Sequence, residues 1–132
     1  MKLTPHPGPF RLSLGEQGEM AACRFLKTRG YEILEKNYKC KLGEIDVIAR
    51  RQGRLAFVEI KTRTSARFGT PQEAVDLRKQ EKIFKVAQWY LKEKKILRSP
   101  IAFDIVAILW GEGQTPEIRL LADAFEKESK SY

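Results

Sequence analysis

The chain has 132 residues, enough for one domain with a single core. Hydrophobic residues make up 42% and charged residues 32%, which excludes a disordered polymer, and no run nears the roughly 18 apolar residues of a membrane span. The 25 basic and 17 acidic side chains give a net charge of +8, a balance that favours a polyanionic partner, nucleic acid first.

Residues 1–11 carry three prolines, Pro5, Pro7 and Pro9, and no apolar periodicity; they read as a flexible arm without the apolar core of a secretion signal. A cytoplasmic location is therefore expected, with one domain over residues 12–126 and a tail over 127–132. From about Leu14 to Arg29 the pattern is helical. Glu19, Ala22, Cys23 and Leu26 share one face, which turns Glu19 inward, and Gly30 stops the helix. Strands follow over Tyr31–Tyr38, Glu44–Arg50 and Leu55–Thr62, the last two joined in a hairpin through Gln52-Gly53. Thr70-Pro71-Gln72-Glu73 has the capping-box signature of a helix start. The long helix it opens should bury Leu77, Ile83, Phe84, Ala87, Tyr90 and Leu91 through to about Lys95 and present a basic exterior. Ile101–Trp110 reads as a strand covered on both sides, and Glu117–Leu121 as a shorter edge strand. The predicted order is α-β-β-β-α-β-β, an α/β fold with a central mixed sheet.

The chemistry available is limited. His6 is the sole histidine and lies among prolines, which excludes His triads and His-based zinc sites. Cys23 and Cys40 match no metal-binding spacing and read as free thiols. Carboxylates and lysines remain. Alternation along Phe57-Val58-Glu59-Ile60-Lys61 puts Glu59 and Lys61 on one face and Val58 and Ile60 on the other. The hairpin brings Asp46 beside them, so three charges converge near one sheet edge. Two carboxylates held close together in apolar surroundings repel, and a divalent cation keeps both ionised. Magnesium suits such a pair because it accepts one or two carboxylates and retains water and phosphate. Lys61 could orient the attacking water, and Glu19 could add a third carboxylate, although Glu16, one turn earlier, is an alternative. Taken alone, Glu59-x-Lys61 is also the pattern of an exposed charge pair. Asp104, between apolar neighbours, could partner a helix end or Lys61. The loop from Lys61 to Gly69, with Arg63 and Arg67, has a composition suited to phosphate contacts.

Five motifs in order, Gly15-x-x-Gly18-Glu19-x-x-Ala22, Gly43-Glu44-Ile45-Asp46, Phe57-Val58-Glu59-Ile60-Lys61-x-Arg63, Phe68-Gly69-x-Pro71 and Phe103-Asp104-Ile105-Val106, resemble the YraN-like family, also called UPF0102, over residues 15–125. That family is similar in fold and motif to the PD-(D/E)xK nucleases, and among them to archaeal Holliday-junction resolvases. The resemblance implies a restriction-endonuclease-like fold and a magnesium-dependent DNA endonuclease, with manganese as a substitute ion and branched or damaged DNA as a candidate substrate. It assigns the metal to Asp46, Glu59 and the main-chain carbonyl of Ile60, water activation to Lys61, and completion of the site to Glu19. Arg63, Arg67 and Lys79 are the expected nucleic-acid contacts. One departure is Ala102, where many relatives are expected to carry a basic residue. The alternative from another class is a nucleic-acid-binding or scaffold protein with little or no catalysis; a homodimer stays open.

If Arg63 and Arg67 grip phosphates, DNA binding should weaken with salt at a log–log slope of about −0.9 per phosphate neutralised. Replacing both by Ala should flatten that slope in a filter-binding or anisotropy titration, and an unchanged slope would move the binding face elsewhere.

Overall fold

The computed structural model describes residues 12–65 and 75–126. Its elements are α1 (Leu14–Thr28), β1 (Glu32–Cys40), β2 (Gly43–Arg51), β3 (Arg54–Arg63), α2 (Leu77–Glu93), β4 (Ile101–Leu109) and β5 (Glu117–Phe125), in the predicted order. The strands form one sheet in chain order. Neighbours are antiparallel except β3 and β4, whose parallel pairing is bridged by the segment containing α2. The result is the mixed, helix-flanked sheet expected.

Each face of the sheet carries one helix. On one side Ala22, Cys23 and Leu26 of α1 pack with Val47, Val58, Ile60 and Val106. On the other, Ile83, Phe84, Ala87 and Tyr90 of α2 pack with Ile45, Ile48, Phe57 and Phe103. An aromatic cluster stiffens this second core, with Phe84 meeting Phe103 edge-on at 4.8 Å and Phe57 stacked on Phe103 at 5.6 Å. The central strand β3 is consequently buried from Leu55 to Ile60, a continuous run that includes Glu59. The three site residues therefore gather at the C-terminal end of the middle strand, and the expectation of a sheet-edge position is corrected. Among the described residues, β3 opens to solvent toward its ends, at Arg54 and from Lys61 onward.

Helix α1 starts where its capping chemistry dictates. The Ser13 hydroxyl accepts the Glu16 N–H at 3.1 Å, and the Glu16 carboxylate accepts the Ser13 N–H at 2.9 Å. Helix α2 departs from expectation. Thr70-Pro71-Gln72-Glu73 lies outside the described residues, and α2 opens at Leu77, because Asp76 is extended and its carboxylate caps the Lys79 N–H at 2.9 Å. Leu77 is 80% exposed rather than part of the apolar stripe, while Val86 is fully buried and belongs to it. A start at Asp76 leaves Leu77 in the first turn, ahead of the turns that meet the sheet.

The remaining corrections concern β5, Asp104 of β4 and the residue before β1. β5 continues to Phe125, beyond the predicted Leu121, through an irregularity at Asp123, which sits at φ +51°. Asp104 holds that irregularity: its carboxylate accepts the Asp123 N–H at 2.8 Å and the Tyr31 O–H at 2.6 Å. It therefore serves neither Lys61 nor a helix end. Tyr31, predicted as the first residue of a strand, lies just before β1 with its ring under the Arg51 guanidinium, 5.0 Å away. Arg51 thus brings a cation to the neighbourhood where Ala102 supplies none. Cys23 and Cys40 are free thiols as expected. Among the described residues no helix is long and apolar enough to cross a membrane.

Gly18 sets how closely α1 approaches β3, since a Cβ there would overlap the Thr62 side chain. Helix propensity alone favours Gly18→Ala by about 1 kcal/mol, and overpacking opposes it by roughly 1–3 kcal/mol. We expect the overlap to win, so that Gly18→Ala melts below wild type, and Thr62→Ala in the same chain to recover part of the loss. A stabilised single variant would mean that α1 does not rest on Thr62.

Candidate active site

The site begins where the β2–β3 ladder stops. Their last regular pair toward the open end is Val47 with Val58, and continuing the register would set Asp46 directly against Glu59. Two carboxylates in that position repel. The regular ladder ends there, and the Asp46 carboxylate accepts the N–H of Ile60 at 2.8 Å, so that this buried donor stays satisfied. On the other side of β2 the β1 backbone also departs from regularity: Asn37, between the paired residues Lys36 and Tyr38, sits at φ +51°. Asn is among the few residues that tolerate this conformation.

Glu59 is the most confined charged group of the site, its side chain 6% exposed. The Asp46 carboxylate lies close enough to raise the Glu59 carboxyl, and the Glu59 Oε2 lies 3.1 Å from the Lys79 Nζ. Lys79, expected as a nucleic-acid contact, thus reaches the site from the first turn of α2. Lys61, two residues after Glu59, is half-buried and makes no hydrogen bond or ion pair among the described residues. Arg63 is half-buried at the end of β3, and Arg67 lies outside the described residues.

Glu19 is half-buried and opens onto a cavity of about 210 Å³ that it shares with Asp46, Asn37, Lys36, Met20 and Cys23. Asn37 hydrogen-bonds to it. Glu16 also borders this cavity, yet its carboxylate is engaged in the α1 capping box, which leaves Glu19 as the helix carboxylate coupled electrostatically to Asp46. Lys36 and Asn37 were not singled out from the sequence. The only signal for Asn37 was its tolerance of a left-handed backbone, and nothing in the strand pattern required one.

The model of "Uncharacterised protein family UPF0102" matches residues 18–108. A UPF0102 protein of Geotalea uraniireducens is 48% identical over 114 residues, covering 86% of this chain and 90% of its own. One from Caldanaerobacter subterraneus is 49% identical over 96 residues, 73% of this chain and 79% of its own, and one from Trichlorobacter lovleyi is 39% identical over 123 residues, 92% and 97% respectively. This chain belongs to the UPF0102 family.

The electrostatics of this UPF0102 site follow from its burial. Burial raises the Glu59 carboxyl to about 7, the Asp46 charge pushes the same way, and Lys79 opposes both. Glu19 is also raised, first by burial and then by Asp46, against the Asn37 hydrogen bond. Burial alone would lower Lys79, but the charges of Glu59, Asp46 and Glu44 outweigh it and raise its affinity for a proton. Among the described residues no three carboxylate, imidazole or thiol side chains form a ready-made ion-binding group. A cation here would draw on the Asp46–Glu59 pair, main-chain oxygen and water. That is a hard-oxygen donor set of the kind magnesium takes, and its negative charge is under-compensated by protein.

The Glu59 shift has a consequence for stability. The folded protein keeps the Glu59 proton up to about pH 7, whereas the unfolded chain releases it near the usual 4.5. Stability from this group is therefore fully present below 4.5 and lost as pH rises to about 7, by about 3 kcal/mol at most. Calorimetric melts across that window should show wild type declining more steeply than Glu59→Gln; parallel profiles would mean that Glu59 is ionised throughout.

Proposed function

We propose that this UPF0102 protein is a magnesium-dependent endonuclease that hydrolyses phosphodiester bonds in DNA, with branched or damaged DNA as candidate substrates. The observation that carries the reading is the half-buried Asp46 carboxylate held beside the buried Glu59 at the open end of the central strand, close enough to raise the Glu59 carboxyl, with Lys61 two residues on. A structural role gains little from opposing two carboxylates in a covered sheet, whereas a cation-binding role requires it.

Asp46, Glu59 and the Ile60 carbonyl would hold the ion, which when bound polarises phosphate oxygen and lowers the pKa of bound water. The Ile60 N–H fixes the Asp46 carboxylate in place without using both its oxygens. Lys61, free of protein partners among the described residues, offsets phosphate charge and orients the water. Glu19, across the small cavity from Asp46, accepts a hydrogen bond from that water. Hydrolysis adds water across one P–O ester bond: its oxygen joins phosphorus, and its proton passes to the released alkoxide. The net charge of +8 and the exposed Lys82, Lys85 and Lys92 favour a polyanionic substrate.

One observation favours a second reading. The Lys79–Glu59 ion pair gives Glu59 a protein counterion, which a nucleic-acid-binding protein without catalysis could retain as structure.

Asp46→Asn separates the two. It keeps an acceptor for Ile60 and removes the repulsion with Glu59, so the metal-free protein should be equally or slightly more stable. Millimolar Mg²⁺ or Mn²⁺ should raise the Tm of wild type by mass action and leave the variant unmoved. Cleavage of linear, single-stranded or branched DNA should fall by about 100-fold or more, the scale of losing one electrostatic contact at a reacting group. A wild type that neither responds to metal nor cuts any of these DNAs would overturn the nuclease reading and leave the binding protein.

A further inference from the structure

Lys79 stands where a metal ion would have to act. Its Nζ lies 3.1 Å from Oε2 of Glu59, and Glu59 follows the last regular β2–β3 pair, beside Asp46. One ammonium therefore supplies part of the positive charge that the carboxylate pair demands. The two halves of Lys79 are held differently. Its main chain is fixed, because the Asp76 carboxylate caps its N–H at 2.9 Å in the first turn of α2. Its side chain is 42% exposed against 6% for that of Glu59, so the ammonium lies at the boundary between the site and solvent. A lysine stem rotates into water without opening the core, and an ammonium is a compact, strongly hydrated charge. Glu59 has no such freedom.

We infer that Lys79 is a displaceable counterion of Glu59: it occupies the site's charge balance when no metal is bound, yields Glu59 to the incoming cation, and is released toward the phosphate backbone of the substrate. The inference rests on the metal site of the proposed function and adds the residue that sets its affinity and links metal entry to substrate contact. A divalent ion held by Glu59 would face the Lys79 ammonium at close range, and like charges at such a separation repel. Metal entry therefore favours release of the ammonium, and the ion pair in turn weakens metal binding. The displaced charge remains tethered to the first turn of α2, so it stays near the mouth of the site, where a phosphate oxygen offers it a new partner. Lys79 is thus a positioning residue that acts through Glu59 before metal arrives and on phosphate afterwards.

Calorimetric titration of Mn²⁺ into the full chain provides the test, with melting temperature as a second readout. Lys79→Ala should bind Mn²⁺ tighter than wild type by roughly tenfold, within the usual range of coupling between two ligands of one site. Lys79→Arg, which keeps the charge, should stay near wild type. In Ca²⁺, chosen to hold the site without turnover, Lys79→Ala should bind a duplex oligonucleotide more weakly than wild type; in metal-free buffer the two should bind it alike. If Lys79→Ala is less stable but its Mn²⁺ affinity is unchanged, the pair is structural and the inference is wrong while the metal site stands. A wild type that binds no Mn²⁺ removes the metal site itself, and this inference with it. Equal loss of DNA binding with and without metal would make Lys79 a constant phosphate contact, which also overturns the exchange.

Discussion

The site depends on a single hydrogen bond, from the main-chain N–H of Ile60 to the Asp46 carboxylate. A central strand buried on both faces cannot stop pairing without leaving main-chain donors in an apolar interior, at a cost of about 1–3 kcal/mol for each unmet group. By accepting from Ile60 through its side chain, Asp46 allows the β2–β3 ladder to end without that loss. The same contact fixes Asp46 beside Glu59, at the position where continued pairing would have opposed their charges. Ladder termination and the carboxylate pair are one feature seen from the backbone and from the side chains.

Two helices then complete the site from opposite faces of the sheet, each through a local device. On one face, the lack of a side chain at Gly18 lets α1 lie against Thr62, so Glu19 in the next position comes within electrostatic reach of Asp46. On the other, the Asp76 cap starts α2 late enough that Lys79 falls in its first turn, beside Glu59. A lysine one position earlier or later in this helix would point about 100° away, since 3.6 residues make a turn. The charge arrangement is therefore inherited from a glycine contact and a helix cap, neither of which is itself chemical.

Much of this was legible in the sequence because it follows from period and alternation. The period-2 pattern of β3 separates Glu59 and Phe57 from Val58 and Ile60, and the two cores divide along that line. The spacing of Glu19, Ala22, Cys23 and Leu26 phases α1 correctly, with three of the four buried and Glu19 at the margin. What the sequence hid are contacts made across long separations or through unusual backbone. Lys79 was expected to contact nucleic acid, and its ion pair with Glu59 follows only from the placement of α2 over the sheet. Leu77 looked like core because its spacing fits the stripe, but the extended backbone at Asp76 puts it in the exposed first turn. Asn37 and Asp123 both sit at positive φ inside strands, where pattern reading expects none, so the cavity beside Glu19 and the length of β5 went unseen.

The two buried carboxylates among the described residues, Asp104 and Glu59, differ in what surrounds them. Asp104 faces donors only: its oxygens take the Tyr31 hydroxyl and the Asp123 N–H, and Arg51 lies just beyond Tyr31. Removing either donor would leave the Asp104 carboxylate short of a partner that the fold supplies. Glu59 faces another carboxylate, and its cation comes from a half-exposed lysine that solvent can reclaim. Among the described residues no buried side-chain oxygen or nitrogen lacks a partner, so both acids are satisfied in the hydrogen-bonding sense. They differ in charge. Asp104 is balanced by groups that belong to the fold, whereas the Asp46–Glu59 pair is balanced only in part and by a group that can leave. On the proposed reading, it is this residual charge and its solvent-reaching counterion from which a cation would gain. The partners of Asp104 belong to the fold, whereas the counterion of Glu59 stands at the boundary with solvent.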